Sequence, residues 1–359
     1  MRALVYDEYT TNDDFSKILK IKNLPNPEPR SDEVVFKVIS AGLNYDDIWG
    51  MRGKPLAIPL PHISGTDAAG IVTSVGNDVK NIKVGDRVVS HGNMSCRVCK
   101  ACTDGREYDC KKRTIWGFET GPLWGGYCEF THLPEVNVLK IPDNVSYDEA
   151  AAASMTLLTS WHMLVGRAKI QPGQLVLIMG GSSGIGTFGI QIAKLFGCTV
   201  IATASPDKLD KCLELGADFA VDHRKDDWHK EVRGISKELA KKKGEAPGID
   251  LSFDHIGETH WNKQLQLLKY GATLVSCGAT TGYNAQTDLR HVFFKGTNIL
   301  GSTQGTKAEL DQALYWMGQG KIKAAIDSTY TFEQAAEAHT KMLTGKGMFG
   351  KILMKPEGA

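Results

Sequence analysis

Several things are missing from this 359-residue chain, and each absence removes a class of function. No apolar run approaches the roughly twenty residues that a membrane-crossing helix needs. Neither sign of charge is in excess: 42 Lys and Arg face 41 Asp and Glu, a net charge of +1. Nothing in that balance draws the chain to nucleic acid or to an anionic membrane, so neither is expected as a partner. The opening residues, MRALVYDEYTTNDD, lack the apolar stretch and cleavage site of a secretory leader, which predicts a cytoplasmic protein. There is no internal repeat and no low-complexity tract. In a reducing compartment the eight cysteines are not expected to form disulfides, and four of them crowd into one short stretch. The length suits about two domains, each with a sizeable core.

What is present is organised around Leu175–Lys208. An apolar run, Leu175–Met179, reads as a buried strand. A turn follows, with Gly180, Gly181, Ser182, Ser183, Gly184, Ile185 and Gly186, then an amphipathic helix over Thr187–Phe196 and a second strand over Thr199–Thr203. Strand, glycine turn, helix and strand in this order form a dinucleotide-binding unit, in which backbone N–H groups and a helix N-terminus receive a pyrophosphate. Ser183 stands where the middle glycine of G-x-G-x-x-G is usual. NAD sites place an acid about twenty residues after the first glycine. Here that position is Thr203, followed by Ser205 and Lys208. Hydroxyls and a lysine suit a 2′-phosphate, which favours NADPH, although Asp207 could still serve a ribose hydroxyl.

The flanks differ in character. Residues 1–140 read as short strands with Gly and Pro turns, the pattern of a small β-barrel-like domain. Beyond residue 205, helices and strands alternate, the pattern of a doubly wound parallel sheet. The strand near 298–302 reads as the return of the chain to the first domain. In the first part lie Cys96, Cys99, Cys102 and Cys110, spaced C-x2-C-x2-C-x7-C. Four thiolates close a tetrahedral shell around Zn²⁺ and leave no open position, so one structural zinc per subunit is expected; two-residue gaps also suit an iron–sulfur cluster. Ser146 is a helix N-cap, with Asp148 and Glu149 in the first turn.

These segments, with Gly42–Asp47, Gly65–Gly70, Gly85–Val89, Asp254–Gly257, Cys277–Gly278 and Gly350–Lys351, resemble the medium-chain dehydrogenase/reductase superfamily over nearly the whole length. The resemblance implies an α/β fold: a GroES-like β-barrel catalytic domain over 1–156 with a zinc lobe at about 92–112, a Rossmann domain over 157–298, and a return over 299–359. It implies cofactor contacts from Thr159, Gly181–Gly186, Thr203, Ser205, Lys208 and His223, and from Cys277, Gly278 and Ala279 beneath a nicotinamide ring. It also implies a homodimer or homotetramer built on edge strands near Val292–Ser302.

The departures carry the function. Where the family's alcohol dehydrogenases hold a catalytic zinc, this chain resembles the quinone oxidoreductase and enoyl-thioester reductase branch: Asn44 replaces the first cysteine, Thr66 and Asp67 replace histidine and glutamate, and Met155 falls at the second cysteine. One carboxylate cannot hold zinc. Without a Lewis acid, substrates that accept hydride readily are favoured: quinones or conjugated carbonyl compounds and thioesters. Asn44 is then a donor to the substrate oxygen, Tyr45 a donor of a bond or proton, and Asp46 stands at the family's proton-relay position. Each has a plain alternative, Asn44 as a helix cap, Tyr45 as packing and Asp46 as an exposed acid. Two rival readings stand beside this one: an aldehyde reductase with a rebuilt site, and an NADPH-binding structural protein.

Overall fold

The computed structural model describes residues 1–356. The chain divides into two compact units, Met1–Leu158 with the segment from Gly305 onward, and Thr159–Gln304. Each is built on its own sheet.

In the first unit the strand Glu33–Gly42 is central. It pairs antiparallel with Asp67–Val75, Phe130–Pro134 and Lys351–Lys355. Arg87–Ser90 and Val138–Lys140 extend the sheet on one side and Ile326–Thr331 on the other. Val34, Phe36 and Val38 alternate inward with Val72, Val88, Leu133, Ile352 and Met354 as one buried cluster. The strand is buried at most positions, Val35 and Ser40 included, as a central strand covered on both faces is. Register shifts at Val35/Phe36 and Val38/Ser40 bend the central strand, as bulges do. The helix Tyr147–Ala153 begins at Ser146, whose Oγ accepts from the Glu149 N–H at 3.2 Å while Glu149 accepts from the Ser146 N–H at 3.1 Å. This reciprocal pair satisfies two N–H groups at the helix start.

The second unit carries six parallel strands. From edge to edge they are Phe219–Asp222, Thr199–Ala204, Leu175–Ile178, Ile249–Asp254, Leu268–Ser276 and Asn298–Gly301. Numbered within the unit this is 3-2-1-4-5-6, the doubly wound order. Leu175–Ile178 is buried throughout, as a strand covered on both faces must be. The order reverses between Leu175–Ile178 and Ile249–Asp254, which are direct neighbours. Ligands of such sheets bind at the carboxyl ends of those two strands.

The structure corrects two expected boundaries. Asn298–Gly301 does not return to the first unit; it is the sixth parallel strand, paired with Thr273–Ser276. Hydrogen bonds to its neighbour decide its sheet. The units divide at 158/159 and 304/305, not at 156/157 and 298/299. The first division falls inside a continuous helical run, Thr156–Trp161 followed by a wider π turn at His162–Arg167, where composition gives no signal.

Candidate functional site

Asn44 lies two residues past the central strand of the first unit, Glu33–Gly42, and immediately precedes the helix Tyr45–Arg52. Its backbone N–H donates to the Asp47 carboxylate at 2.9 Å. Its side chain serves another purpose. The Asn44 amide nitrogen donates to Asp67 Oδ2 at 2.9 Å, and its oxygen accepts from Lys351 Nζ at 2.5 Å. Lys351 Nζ also pairs with Asp67 Oδ2 at 2.9 Å. The charges fix the amide orientation, because the flipped form would set its NH2 against the ammonium. The register that pairs Leu353 with Gly42 brings Lys351 opposite Asn44. Gly42 makes room for it: a Cβ there would fall 2.8 Å from Lys351 Cε and 3.0 Å from Asp67 Oδ2.

Asn44, Asp67 and Lys351 are all buried. One amide N–H of Asn44 and one N–H of Lys351 remain beyond these bonds, by donor count. Two donors held this way can stabilise a developing oxyanion. Removing either charge of the Asp67–Lys351 pair would strand the other, a cost of roughly 3–5 kcal/mol for a buried pair.

Two more acids adjoin. Asp47 is buried and accepts from Tyr127 Oη at 2.6 Å; burial raises its pKa against the pull of His339 and Tyr127. Asp46 is half-buried. Its pKa is pushed up to about 7, first by burial, then by repulsion from Asp47 and Asp67, with Lys351 opposing. Tyr45 packs edge-on against Trp49 at 5.6 Å and leans toward Arg52, on the helix face that carries those residues. The Thr66 hydroxyl and Asp67 Oδ1 are buried without a hydrogen-bond partner. His62 is held by the carbonyls of Pro59 and Gly117, each at 3.2 Å.

This donor set does not fit a catalytic zinc. At the aligned positions Asn44, Thr66 and Asp67 it offers one amide, one hydroxyl and one carboxylate, with the Lys351 ammonium already against the carboxylate. Among the described residues, the one metal-ligating group of three or more His, Cys, Asp and Glu is the cysteine lobe. There the four Sγ atoms lie within 4.8 Å of one another, with approaches of 3.5, 3.6 and 4.0 Å. A tetrahedron with ~2.3 Å arms has edges of about 3.8 Å, so the lobe fits zinc.

In the second unit the helix Gly184–Leu195 starts at Ser183, whose Oγ accepts from the Gly186 N–H at 2.8 Å. A Cβ on Gly186 would sit 2.2 Å from the Gly180 carbonyl oxygen, so the helix meets the turn only with glycine there. Gly181 donates to the Thr203 carbonyl at 2.7 Å. Ser182, Gly184 and Ile185 complete the turn at the helix N-terminus, whose first N–H groups suit a pyrophosphate. One expectation is corrected: Thr203 is fully buried and its hydroxyl accepts from the Gly180 N–H at 3.1 Å. It braces the glycine turn instead of facing a ribose phosphate.

Ser205, Lys208 and His223 gather where adjacent strands end, with the His223 N–H on the Ala204 carbonyl at 3.3 Å. Arg224 joins them and pairs with Asp207 at 2.9 Å. Cys277 donates its N–H to the Asp254 carbonyl at 3.1 Å, fixing the Cys277–Gly278–Ala279 segment beside the reversal of strand order. Thr159 is buried at the start of the unit.

Two residues escaped the sequence reading as site members. Lys351 was noted only within a family pattern. His255 lies at the end of Ile249–Asp254 with Nε2 3.0 Å from Ser183 Oγ, and burial lowers its pKa, keeping the ring neutral. Strand order alone foretells that contact, since the first and fourth strands are neighbours.

The Asp46 shift has a testable sign. Its folded pKa lies above the ordinary carboxylate value, so its contribution to stability is full below about pH 4 and is lost as pH rises through 7. Asp46→Asn is expected to flatten this decline, melting higher than the wild type at pH 8 with a smaller gain at pH 5. Melting temperatures of the two proteins from pH 5 to 8 check it; parallel curves would contradict the shift.

Comparison with known proteins shows the family. The family model described as the alcohol dehydrogenase GroES-like domain matches residues 30–143, and the one described as zinc-binding dehydrogenase matches 184–319. Crotonyl-CoA carboxylase/reductase of Cereibacter sphaeroides is 32% identical over 349 residues, covering 90% of this chain and 80% of the relative. Acryloyl-coenzyme A reductase of Sulfurisphaera tokodaii is 29% identical, covering 94% of this chain and 96% of the relative. A solved structure titled as an NAD-dependent alcohol dehydrogenase superposes with a TM-score of 0.91 at 36% identity, covering 99% of this chain and 100% of that one. With a GroES-like sheet, a doubly wound dinucleotide unit and relatives of this similarity over almost its full length, the chain is an oxidoreductase of the medium-chain dehydrogenase/reductase superfamily.

Proposed function

We propose that the protein reduces the activated double bond of an α,β-unsaturated thioester or carbonyl compound with NADPH, without a catalytic zinc. The observation that carries this is the Asn44–Asp67–Lys351 cluster. An ammonium and an amide stand among the residues that align with the zinc ligands of alcohol dehydrogenases, and they offer donors suited to an enolate oxygen. Relatives named as crotonyl-CoA and acryloyl-coenzyme A reductases support the substrate class.

NADPH, when bound, supplies the hydride. Ser183, Gly184 and Ile185 cradle its pyrophosphate, while Lys208, Arg224 and Ser205 receive the 2′-phosphate. The Asp207 carboxylate, which would repel that phosphate, is neutralised by Arg224. Asn44 and Lys351 hold the substrate oxygen as negative charge develops on it. Asp46 is the proton donor: a carboxyl with a pKa of about 7 keeps a proton to give near neutral pH. Tyr45 shapes the helix face beside it. Thr66 and Asp67 position Asn44 and Lys351. The cysteine lobe holds one structural zinc per subunit.

Purified protein is expected to oxidise NADPH with an enoyl thioester, to be slower with a simple quinone and with NADH, and to leave a short aldehyde unreduced. Turnover of the aldehyde alone would sink the proposal and favour the alcohol dehydrogenase named in the structural comparison. Cofactor binding with no turnover on any electrophile would favour a structural role.

The same reading includes a homodimer. Asn298–Gly301 is an open sheet edge, and the neighbouring helix Leu289–Lys295 buries none of its residues. Leu289, Phe293 and Phe294 are 64–69% exposed. An open strand beside exposed aromatics suits antiparallel pairing with a second copy. Light scattering is expected to give twice the chain mass, falling to a single chain for F293E/F294E; a monomeric wild type would refute it.

A further inference from the structure

We infer that the cysteine lobe is a metal-dependent latch on the chain where it re-enters the first unit, with Glu107 as the bolt. This rests on the zinc reading proposed above. The residues that carry it all lie in that unit. Arg97, between Cys96 and Cys99, has a left-handed backbone (φ 61°) that directs its guanidinium to the Glu107 carboxylate. Glu107 lies between Cys102 and Cys110 and is buried. Its second oxygen accepts the Lys307 N–H at 2.5 Å.

Lys307 opens the helix Lys307–Gly318, two residues after the chain enters the unit at Gly305. A first-turn N–H has no partner within its own helix, and a carboxylate there also complements the helix dipole. The lobe therefore supplies what the returning helix lacks. Around it, the Gly305 carbonyl accepts from His91 Nε2 and Asn93 Nδ2, each at 3.3 Å. Those two residues are tied in turn to Asn137, whose amide donates to their carbonyls at 2.8 and 3.1 Å.

Three grips thus hold residues 305–307, and they differ in what sustains them; the third is the Glu135 carbonyl, outside the cysteine loop, which accepts from Lys307 Nζ at 3.3 Å. The grip on Gly305 comes from residues preceding the first cysteine. The grip on the Lys307 N–H comes from within the loop that the cysteines close. The lobe has little apolar packing of its own: its helix Lys100–Thr103 buries no residue, and Cys96, Cys99 and Cys102 are half-buried. Without a metal, Arg97 and Glu107 are left to their own ion pair, a 3.5 Å bond from Arg97 Nη2 to the Val136 carbonyl and the Arg106 N–H on the Ala101 carbonyl, a weaker frame than four metal–sulfur bonds, because ligand binding and local folding are one equilibrium in such loops. Removing the metal should free the Lys307 N–H while leaving Gly305 and the Lys307 ammonium held.

Hydrogen exchange of the intact protein, with zinc content measured in parallel, tests this. Chelation is expected to speed exchange of the 306–309 amides by about tenfold or more, the loss of one charge-assisted bond, and added zinc should reverse it. Peptides over Ile249–Asp254 should not change. Lys307→Pro removes the donor at a helix position that tolerates proline. Linkage is reciprocal for affinities, so this variant should bind zinc several-fold more weakly than wild type in equilibrium competition with a chromophoric chelator. Zinc that binds and leaves with 306–309 exchange unchanged, or equal zinc affinity in K307P, would overturn the latch alone. A lobe that takes up no metal would overturn the zinc reading and the latch with it.

Discussion

The site in the first unit depends on one buried ammonium. Asp67 and Asn44 meet where two antiparallel strands end together, and the sheet brings a third strand past them carrying Lys351. Burying the Asp67 carboxylate alone would be costly. The ammonium makes that burial tolerable, and the amide between them uses its polarity in both directions. Much of the surroundings follows. Gly42 leaves the space that Lys351 needs. Burial makes the carboxyls of Asp46 and Asp47 hold protons more tightly than usual, and at Asp46 repulsion from Asp47 and Asp67 adds to it. A zinc ion at this place would compete with Lys351 for the same carboxylate oxygen.

The two units divide the chemistry by their architecture. Parallel strands in the order 3-2-1-4-5-6 place the glycine turn and His255 side by side at the reversal of order, and the helix N-terminus there suits an anion. The antiparallel sheet brings together side chains distant in sequence, and Asn44 and Lys351 are 307 positions apart. One unit suits a cofactor whose shape is fixed; the other suits a substrate recognised by a few placed donors.

That difference explains what could be read beforehand. The dinucleotide unit is local: strand, turn and helix follow one another, so Ser183 as a helix cap and Gly186 as a close-packing glycine were legible. The cysteine lobe was legible for the same reason, with all four ligands within fifteen residues. Asn44, Thr66 and Asp67 were visible as departures from a family pattern, but not as partners of a lysine, because register across a sheet cannot be counted along the chain. Thr203 shows the converse. Its position along the second strand is right for a ribose contact, yet the inward alternation of a buried strand turns its hydroxyl onto the glycine turn. Asn298–Gly301 was misassigned because a short apolar strand carries no mark of the sheet it joins.

The central claim is that protein charge stands in place of a catalytic metal. It is tested most directly by metal analysis of the active, purified protein beside Asp67→Asn. One zinc per chain in both is the expected result, with all of it held by Cys96, Cys99, Cys102 and Cys110. Two zinc ions per chain in the wild type, one of them lost in Asp67→Asn, would contradict the account.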